Sequence, residues 1–330
     1  PCFHWNNPSL CFPQHRNNYY GSCSTSFNLD QLYEHYLPGK KPSDALGRSR
    51  DYNIDLAPKF IISAGNLVKL LLHTKTTHYM DFKPIVGSYV FHKGKLHKVP
   101  ATDSEALKSS LMGLFEKRRC QKFLVYVQNY KKDDASTHNS YDLTKMTCAE
   151  LFSKFSLDEN TQDFLGHASA LYTNDEYLSK PALDLVERLQ LYSNSLGRYS
   201  NSPYIYPLYG LGELPQAFSR LSAVYGGVYM LSAPIKEVKF NADGTFLGVE
   251  SSEEGSPVAK AKLVVADPTY FPDKVKKVGE VVKVICILSH PVPNTDNSES
   301  CQIIIPQKQD KRKSDIYVAV MSSANCVVPK

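Results

Sequence analysis

The strongest constraint on this chain is a switch in its hydrophobic period, followed by a switch back. From about residue 104 to residue 200 apolar side chains recur at helical spacing, whereas on either side they alternate or gather in short β-rich runs. A chain of this kind must build sheet from segments far apart in sequence and insert helices between them. The fold class is therefore α/β (α+β) with an inserted all-helical domain. The block opens on Thr102-Asp103-Ser104-Glu105, a T-x-x-E capping box, with Ala106, Leu107, Leu111, Met112, Leu114 and Phe115 behind it. FLGHASALY (164–172) and PALDLVERLQLYSNSLGRY (181–199) continue it. The second has Pro181 in its first turn and Ala182, Leu185, Val186, Leu189 and Leu196 along one stripe.

Outside the block, the chain reads as loop and short helix to about residue 55, punctuated by Pro38, Gly39 and Pro42. Residues 56–73 read as helix. SYVFH and KLHKV form a strand pair around Lys93-Gly94, and EVKFNADGTFLGVES forms another around Asp243-Gly244. AKLVVADP, VVKVICILS and CQIIIPQ have the composition of buried strands. DIYVAVMSSANCVVPK reads as a chain cut in mid-strand, and with no initiator Met the sequence is expected to be a fragment.

With 330 residues and 42% hydrophobic side chains, there is enough chain for two cored domains. The net charge of +5 is small for this length and its cations are scattered among acids, so nucleic acid is not an expected partner. The apolar runs at 60–73 and 281–290 fall short of the roughly 18 residues a membrane span needs. PCFHWNNPSLCFPQHR lacks the basic start and apolar stretch of a signal peptide. Cysteines at 2, 11, 23, 120, 148, 286, 301 and 326 show no C-x-x-C pair, which favours buried reduced thiols in a cytosolic protein.

Catalytic signatures are absent: there is no GxSxG, no HExxH and no His and Cys pairing. YGLGELPQ (209–216) contains a G-x-G that could cradle a phosphate at a helix start, but Pro215 stands where a dinucleotide fingerprint needs glycine. His167 reads as a ligand, a base or a packed helix residue. Asp133-Asp134 and Glu253-Glu254 read as solvated loop acids. Tyr19, Tyr20, Arg48, Arg50 and the run from Arg198 to Met230 concentrate Tyr and Arg at loop positions, a composition of interfaces as well as of ordinary amphipathic surfaces. In the helical block Met112, Phe115, Phe123, Phe152, Phe155, Phe164, Leu165 and Leu171 would serve as core or line an adaptable apolar groove.

NNYYG (17–21), LGRSRDYNIDLAPKF (46–60), MGLFEKRR (112–119), RYSNSPYIYPLYGLGELPQAFSRLSAVYGGVYML (198–231), VGEVVKVICILSHPVPNT (278–295), CQIIIPQ and RKSDIYV together resemble the Rab GDP dissociation inhibitors, in order from residue 17 to the end. The resemblance implies a sheet domain of the FAD/NAD(P)-binding kind from 17–103 and 201–330, acting as the Rab-binding platform. It implies that the helical domain, 104–200, binds prenyl lipid. Residues 1–16 match nothing in that family. The family's N-terminal strand with its glycine turn, and its C-terminal part, are expected to be missing.

The implied activity is non-catalytic: the protein holds GDP-bound geranylgeranylated Rab GTPases, slows GDP release, and extracts them from and returns them to membranes. It would do so as a cytoplasmic monomer without cofactor or metal, in transient contact with membranes. Carried over by motif, the Rab platform comprises Tyr20, Arg48, Arg50, Arg198, Glu213, Arg220, Val228, Tyr229 and Met230, with Val228 where relatives commonly carry Thr. Glu213 and Arg220, seven residues apart, would alternatively form a pair on one helix face. Met112, Phe115, Phe164 and Leu171 are the candidates for the prenyl site. Two other readings share the ancestry: a Rab escort protein presenting Rabs to the prenyltransferase, and a flavin-dependent oxidoreductase. The absent glycine turn argues against the flavin, whose pyrophosphate would lose its N–H cradle.

Overall fold

Hydrophobic period decides most elements, and strand pairing decides the rest. The structure, a computed structural model, describes residues 15–102, 104–105, 112–252 and 258–330. They divide into two compact units. The first holds the chain up to Pro58, Thr76–Met80 and Tyr209–Ile287; the second holds Lys59–Lys75, Asp81–Leu208 and Leu288–Lys330.

In the first unit, Asn28 caps the helix Leu29–Tyr36 through a reciprocal box with Gln31. Strand Ser26–Phe27 pairs antiparallel with Ile54–Asp55. The hairpin expected around Asp243-Gly244 is present: Ile235–Phe240 pairs with Phe246–Ser251, and Gly244 adopts the left-handed φ that the turn requires. A third strand, Ala259–Lys260, adds to its edge. Helix Glu213–Val224 buries Ala217, Phe218 and Leu221 on one face.

The second unit carries a four-stranded mixed sheet in the order Ile316–Val320, Cys301–Ile305, Gly87–His92, Lys95–Lys98. Cys301–Ile305 runs parallel to Gly87–His92 and antiparallel to Ile316–Val320, and its apolar run is buried as a central strand should be. A second sheet places Tyr204–Pro207 between Ile61–Ile62 and Phe82–Pro84.

Among the described residues from 112 to 200 there is no strand. Helix Leu114–Asn129 is rich in strong helix formers and free of Gly and Pro, and buries Cys120, Phe123, Tyr126 and Val127. Thr147 and Glu150 box the start of Cys148–Lys154, and Asp158 caps Glu159–Asp163, which passes into a π-helical turn at Phe164–Ser169. Together with Leu183–Ser195 these elements enclose one apolar cluster containing Phe123, Leu151, Phe152, Leu185, Val186 and Leu189. The expected capping box before residue 106 is partly visible, the Glu105 N–H donating to Thr102 Oγ1 at 3.2 Å. Asp103, Ala106, Leu107 and Leu111 lie outside the described residues.

Four sequence expectations need correction. The helix expected over 56–73 is confined to Asn66–His73. Ser63 breaks it, its N–H bonding to the Pro203 carbonyl and its hydroxyl to the Ser195 carbonyl, and leaves Ile61–Ile62 to pair as strand. AKLVVADP (261–268) forms no strand: the short strand before it ends at Lys260, the Ala261 N–H still donates to the Leu247 carbonyl at 3.3 Å, and Leu263 and Val265 beyond are exposed. VVKVICILS forms no strand: residues 275–288 pair with nothing, and Val278 is 95% exposed. A β-rich run becomes a strand only where a neighbour accepts its backbone hydrogen bonds, and beyond Ala261 neither run bonds to a described strand. The final segment holds the strand Ile316–Val320, which ends ten residues before the last residue.

Candidate protein-binding surface and lipid site

The glycine-containing turn at 209–212 is built for structure. Asp55, on the strand paired with Ser26–Phe27, accepts the Leu211 N–H on both carboxylate oxygens, at 3.0 and 2.9 Å. The Gly212 N–H donates to Ser26 Oγ at 2.9 Å, and that hydroxyl donates to Asp55. A Cβ on Gly212 would come within 2.7 Å of Ser26 Oγ, and Gly210 has φ +93°. These N–H groups are occupied by the protein's own oxygens, so the turn offers no phosphate cradle. Burial raises the Asp55 carboxyl to about 6, against the pull of its hydrogen bonds from Ser26 and the turn.

This turn launches helix Glu213–Val224 and the segment after it, where the aromatic and cationic side chains singled out in the sequence collect. Glu213 sits half-buried in the first helical turn, its carboxyl raised by burial. It makes no ion pair with Arg220, whose guanidinium lies 5.2 Å from the Tyr79 ring centroid, so the alternative of an intrahelical pair is set aside. Tyr20 packs edge-on against Tyr229 at 5.6 Å, and the His15 ring meets Tyr20 at 5.2 Å. Val228 and Met230 are exposed, as are Tyr209, Val224, Tyr225 and Leu231. Tyr209 and Tyr225 fall within the Tyr- and Arg-rich run from Arg198 to Met230 and are exposed there, although no family motif singles them out as contact residues. Arg48 pairs with Asp51 at 3.0 Å, and Arg50 is exposed. Arg198, in the second unit, is exposed with its guanidinium 5.5 Å from the Tyr199 ring.

The four prenyl-site candidates are not gathered in one place. Met112 and Phe164 line a common shallow depression with Val90, His92 and Pro306, and its enclosed space is about 20 Å³. Phe115, at the start of its helix, is 73% exposed, and Leu171 is a half-buried residue with left-handed φ.

His167 is a buried ring whose two nitrogens each face a carboxylate. It is 1% exposed, with Nδ1 2.7 Å from Asp315 and Nε2 3.0 Å from Asp175. With a carboxylate on each nitrogen the ring is an imidazolium. Burial opposes its charge, but Asp315 and Asp175 outweigh it and raise its pKa. Asp163, His167 and Asp175 lie close enough to hold a cation, yet the Lys308 ammonium is already there, 3.1 Å from Asp163, 3.5 Å from Asp175 and 2.8 Å from Glu159.

Cys120, Cys148 and Cys301 are buried free thiols pushed up to about 12, 12 and 11 by burial. Cys286 contradicts the buried reading and is exposed, because its segment has no strand partner. Asp133 and Asp134 are exposed loop acids, as expected; Glu253 and Glu254 lie outside the described residues. Among the described residues no helix is long and apolar enough to cross a membrane.

The family model for GDP dissociation inhibitors matches residues 11–330, nearly the whole chain, and so begins inside the first sixteen residues, where the sequence motifs give no match to the family. The chain belongs to that family. It is 53% identical over 315 residues to a probable secretory pathway GDP dissociation inhibitor 1 of Schizosaccharomyces pombe, spanning 96% of this chain and 71% of the relative. It is 54% identical over 314 residues to the Rab GDP dissociation inhibitor beta of Canis lupus familiaris, spanning 94% and 69%. The crystal structure of a Rab GDI from Plasmodium falciparum superposes with TM-score 0.89 at 42% identity, over 97% of this chain and 74% of that one. The mixed sheets with inserted helices are therefore this family's fold.

Proposed function

We propose that this family member acts as a Rab GDP dissociation inhibitor, a regulator of vesicle traffic that holds Rab GTPases in their GDP form. The observation that carries this reading is the match to the family over residues 11–330. The exposed Tyr, Arg and apolar surface on and after helix Glu213–Val224 supports it, because such side chains combine contact area with directional hydrogen bonds. In this reading Tyr20, Glu213, Arg220, Val228, Tyr229 and Met230 form the core of the Rab contact, Arg48 and Arg50 extend it, and Arg198 supplies a further contact. The protein's own residues do no covalent chemistry; inhibition consists of stabilising the nucleotide-bound GTPase.

The lipid part of the task follows from solvation. Exposing a prenyl chain to water costs about 0.8 kcal/mol per methylene, so two geranylgeranyl chains cost more than roughly 10 kcal/mol. We assign their shelter to the helical elements of the second unit, with Met112 and Phe164 at the entry and Phe115 and Leu171 as further contacts. The enclosed space at Met112 and Phe164 is too small for such a chain, so the depression must widen to admit it. Extraction from and return to membranes is the consequence, with the protein as a cytoplasmic monomer between encounters.

The deciding measurement is release of a fluorescent GDP analogue from a geranylgeranylated Rab, with and without the chain. Slowed release is expected; an unchanged rate refutes the reading. Single changes Tyr20→Ala, Glu213→Ala and Arg220→Ala are each expected to weaken Rab binding by about 1 to 3 kcal/mol with unaltered thermal unfolding. Unchanged affinity in all three would remove the surface from the account. Stimulated prenyl transfer to an unprenylated Rab would instead favour an escort protein, and a flavin absorption band would favour an oxidoreductase.

A further inference from the structure

Helix Leu114–Asn129 has an outward face that its own unit does not use. Its buried residues, Glu116, Cys120, Phe123, Tyr126 and Val127, define the inner side. At 100° per residue the opposite side is centred on Leu114, Arg118, Gln121, Lys122 and Val125, spaced i, i+4, i+7, i+8 and i+11. Leu114 is 64% exposed and Val125 49%. The helix's one acidic residue, Glu116, is buried and accepts from Arg119 and from the Asp158 N–H, so it lends no negative charge to the outer face. Neither Arg118 nor Lys122 has an ion-pair partner among the described residues.

Leu114 and Val125 flanking two cations without ion-pair partners, on a helix face without carboxylates, match a membrane surface that is apolar below and anionic above. Leucine and valine gain from entering the acyl boundary, while arginine and lysine lay their stems along it and keep their charges among the headgroups. A water-soluble docking partner would meet the cations with carboxylates but would gain less from the isolated Leu114.

We propose that the outer face of helix Leu114–Asn129 docks on an anionic lipid bilayer, setting the helical elements against the membrane from which a prenyl chain would be taken. The membrane contact rests on the carrier reading for its purpose, although the face itself can be tested without any Rab.

The experiment is sedimentation of the full chain with vesicles of phosphatidylcholine alone, or of phosphatidylcholine and phosphatidylserine in equal parts. Binding is expected with the anionic vesicles, weakening as salt is raised and the surface charge is screened. The double change Arg118→Glu with Lys122→Glu is expected to lower the partition coefficient by about tenfold or more. Leu114→Ser with Val125→Ser should weaken binding and leave its salt dependence in place. Circular dichroism checks that each variant is folded, and Lys122→Gln gives a milder change should the double variant fail. Equal binding to both vesicle types, no binding to the anionic ones, or full retention by the charge-reversed variant overturns the proposal; in the second case the face belongs to an acidic protein. A parallel measurement of GDP-bound Rab affinity in vesicle-free solution separates the two readings. Loss of Rab binding by the unmodified chain would refute the inhibitor and leave the vesicle result standing.

Discussion

Replacing Phe123 by alanine is expected to lower stability by about 3 to 5 kcal/mol. The ring is fully buried, meets Phe152 and Phe155 edge-on at 5.6 and 5.2 Å, and sits at the centre of the helical cluster. Its removal leaves a void that helices anchored at several capped ends cannot close. Leu124, the next residue, points outward, and its change to alanine is expected to cost no more than about 0.5 kcal/mol. Urea unfolding followed by circular dichroism measures both; equal losses at the two positions would show that the inner face of this helix has been misplaced.

The second large effect is expected at His167. Changing it to glutamine leaves Asp315, 6% exposed, without its cationic partner, and breaking a buried pair from one side costs about 3 to 5 kcal/mol. The signature that separates this from simple loss of packing is its dependence on pH. The folded His167 titrates above its ordinary 6.5, so its contribution is fully present below pH 6.5 and is lost as pH rises through the folded value. Asp55, raised to about 6 from 3.8, acts in the same direction at lower pH, favouring the fold below 3.8 and losing that contribution as pH climbs to about 6. Melting temperatures of the unaltered chain should therefore decline above pH 6.5, and those of His167→Gln should lose that part of the slope. A variant whose melting temperature declines as steeply as that of the unaltered chain would mean that the imidazole is not held charged.

Around these sites the sequence was legible wherever the deciding interaction was local. The turns at Lys93-Gly94 and Asp243-Gly244 act over a few residues, and their hairpins form where the pattern places them. The family motifs likewise survive in the linear order. The role of His167 was not legible, because the carboxylate on its Nδ1 belongs to Asp315, 148 residues away. Nor was the work of the turn at 209–212, whose N–H groups are claimed by Asp55, 156 residues earlier.

Sequence by itself determined the mixed class, the helical block, the two hairpins and the kinship with the GDP dissociation inhibitors, since period, capping and motif are properties of neighbours along the chain. Tertiary structure alone decided which β-rich runs became strands: Cys301–Ile305 found partners on both sides, while the equally apolar run through Val281 and Val282 found none and stays exposed. It decided too that the Lys308 ammonium stands among the acids beside His167. The physical reason is common to both. Backbone pairing and charge compensation are completed by groups remote in sequence, and only the folded chain brings them within a hydrogen bond of each other.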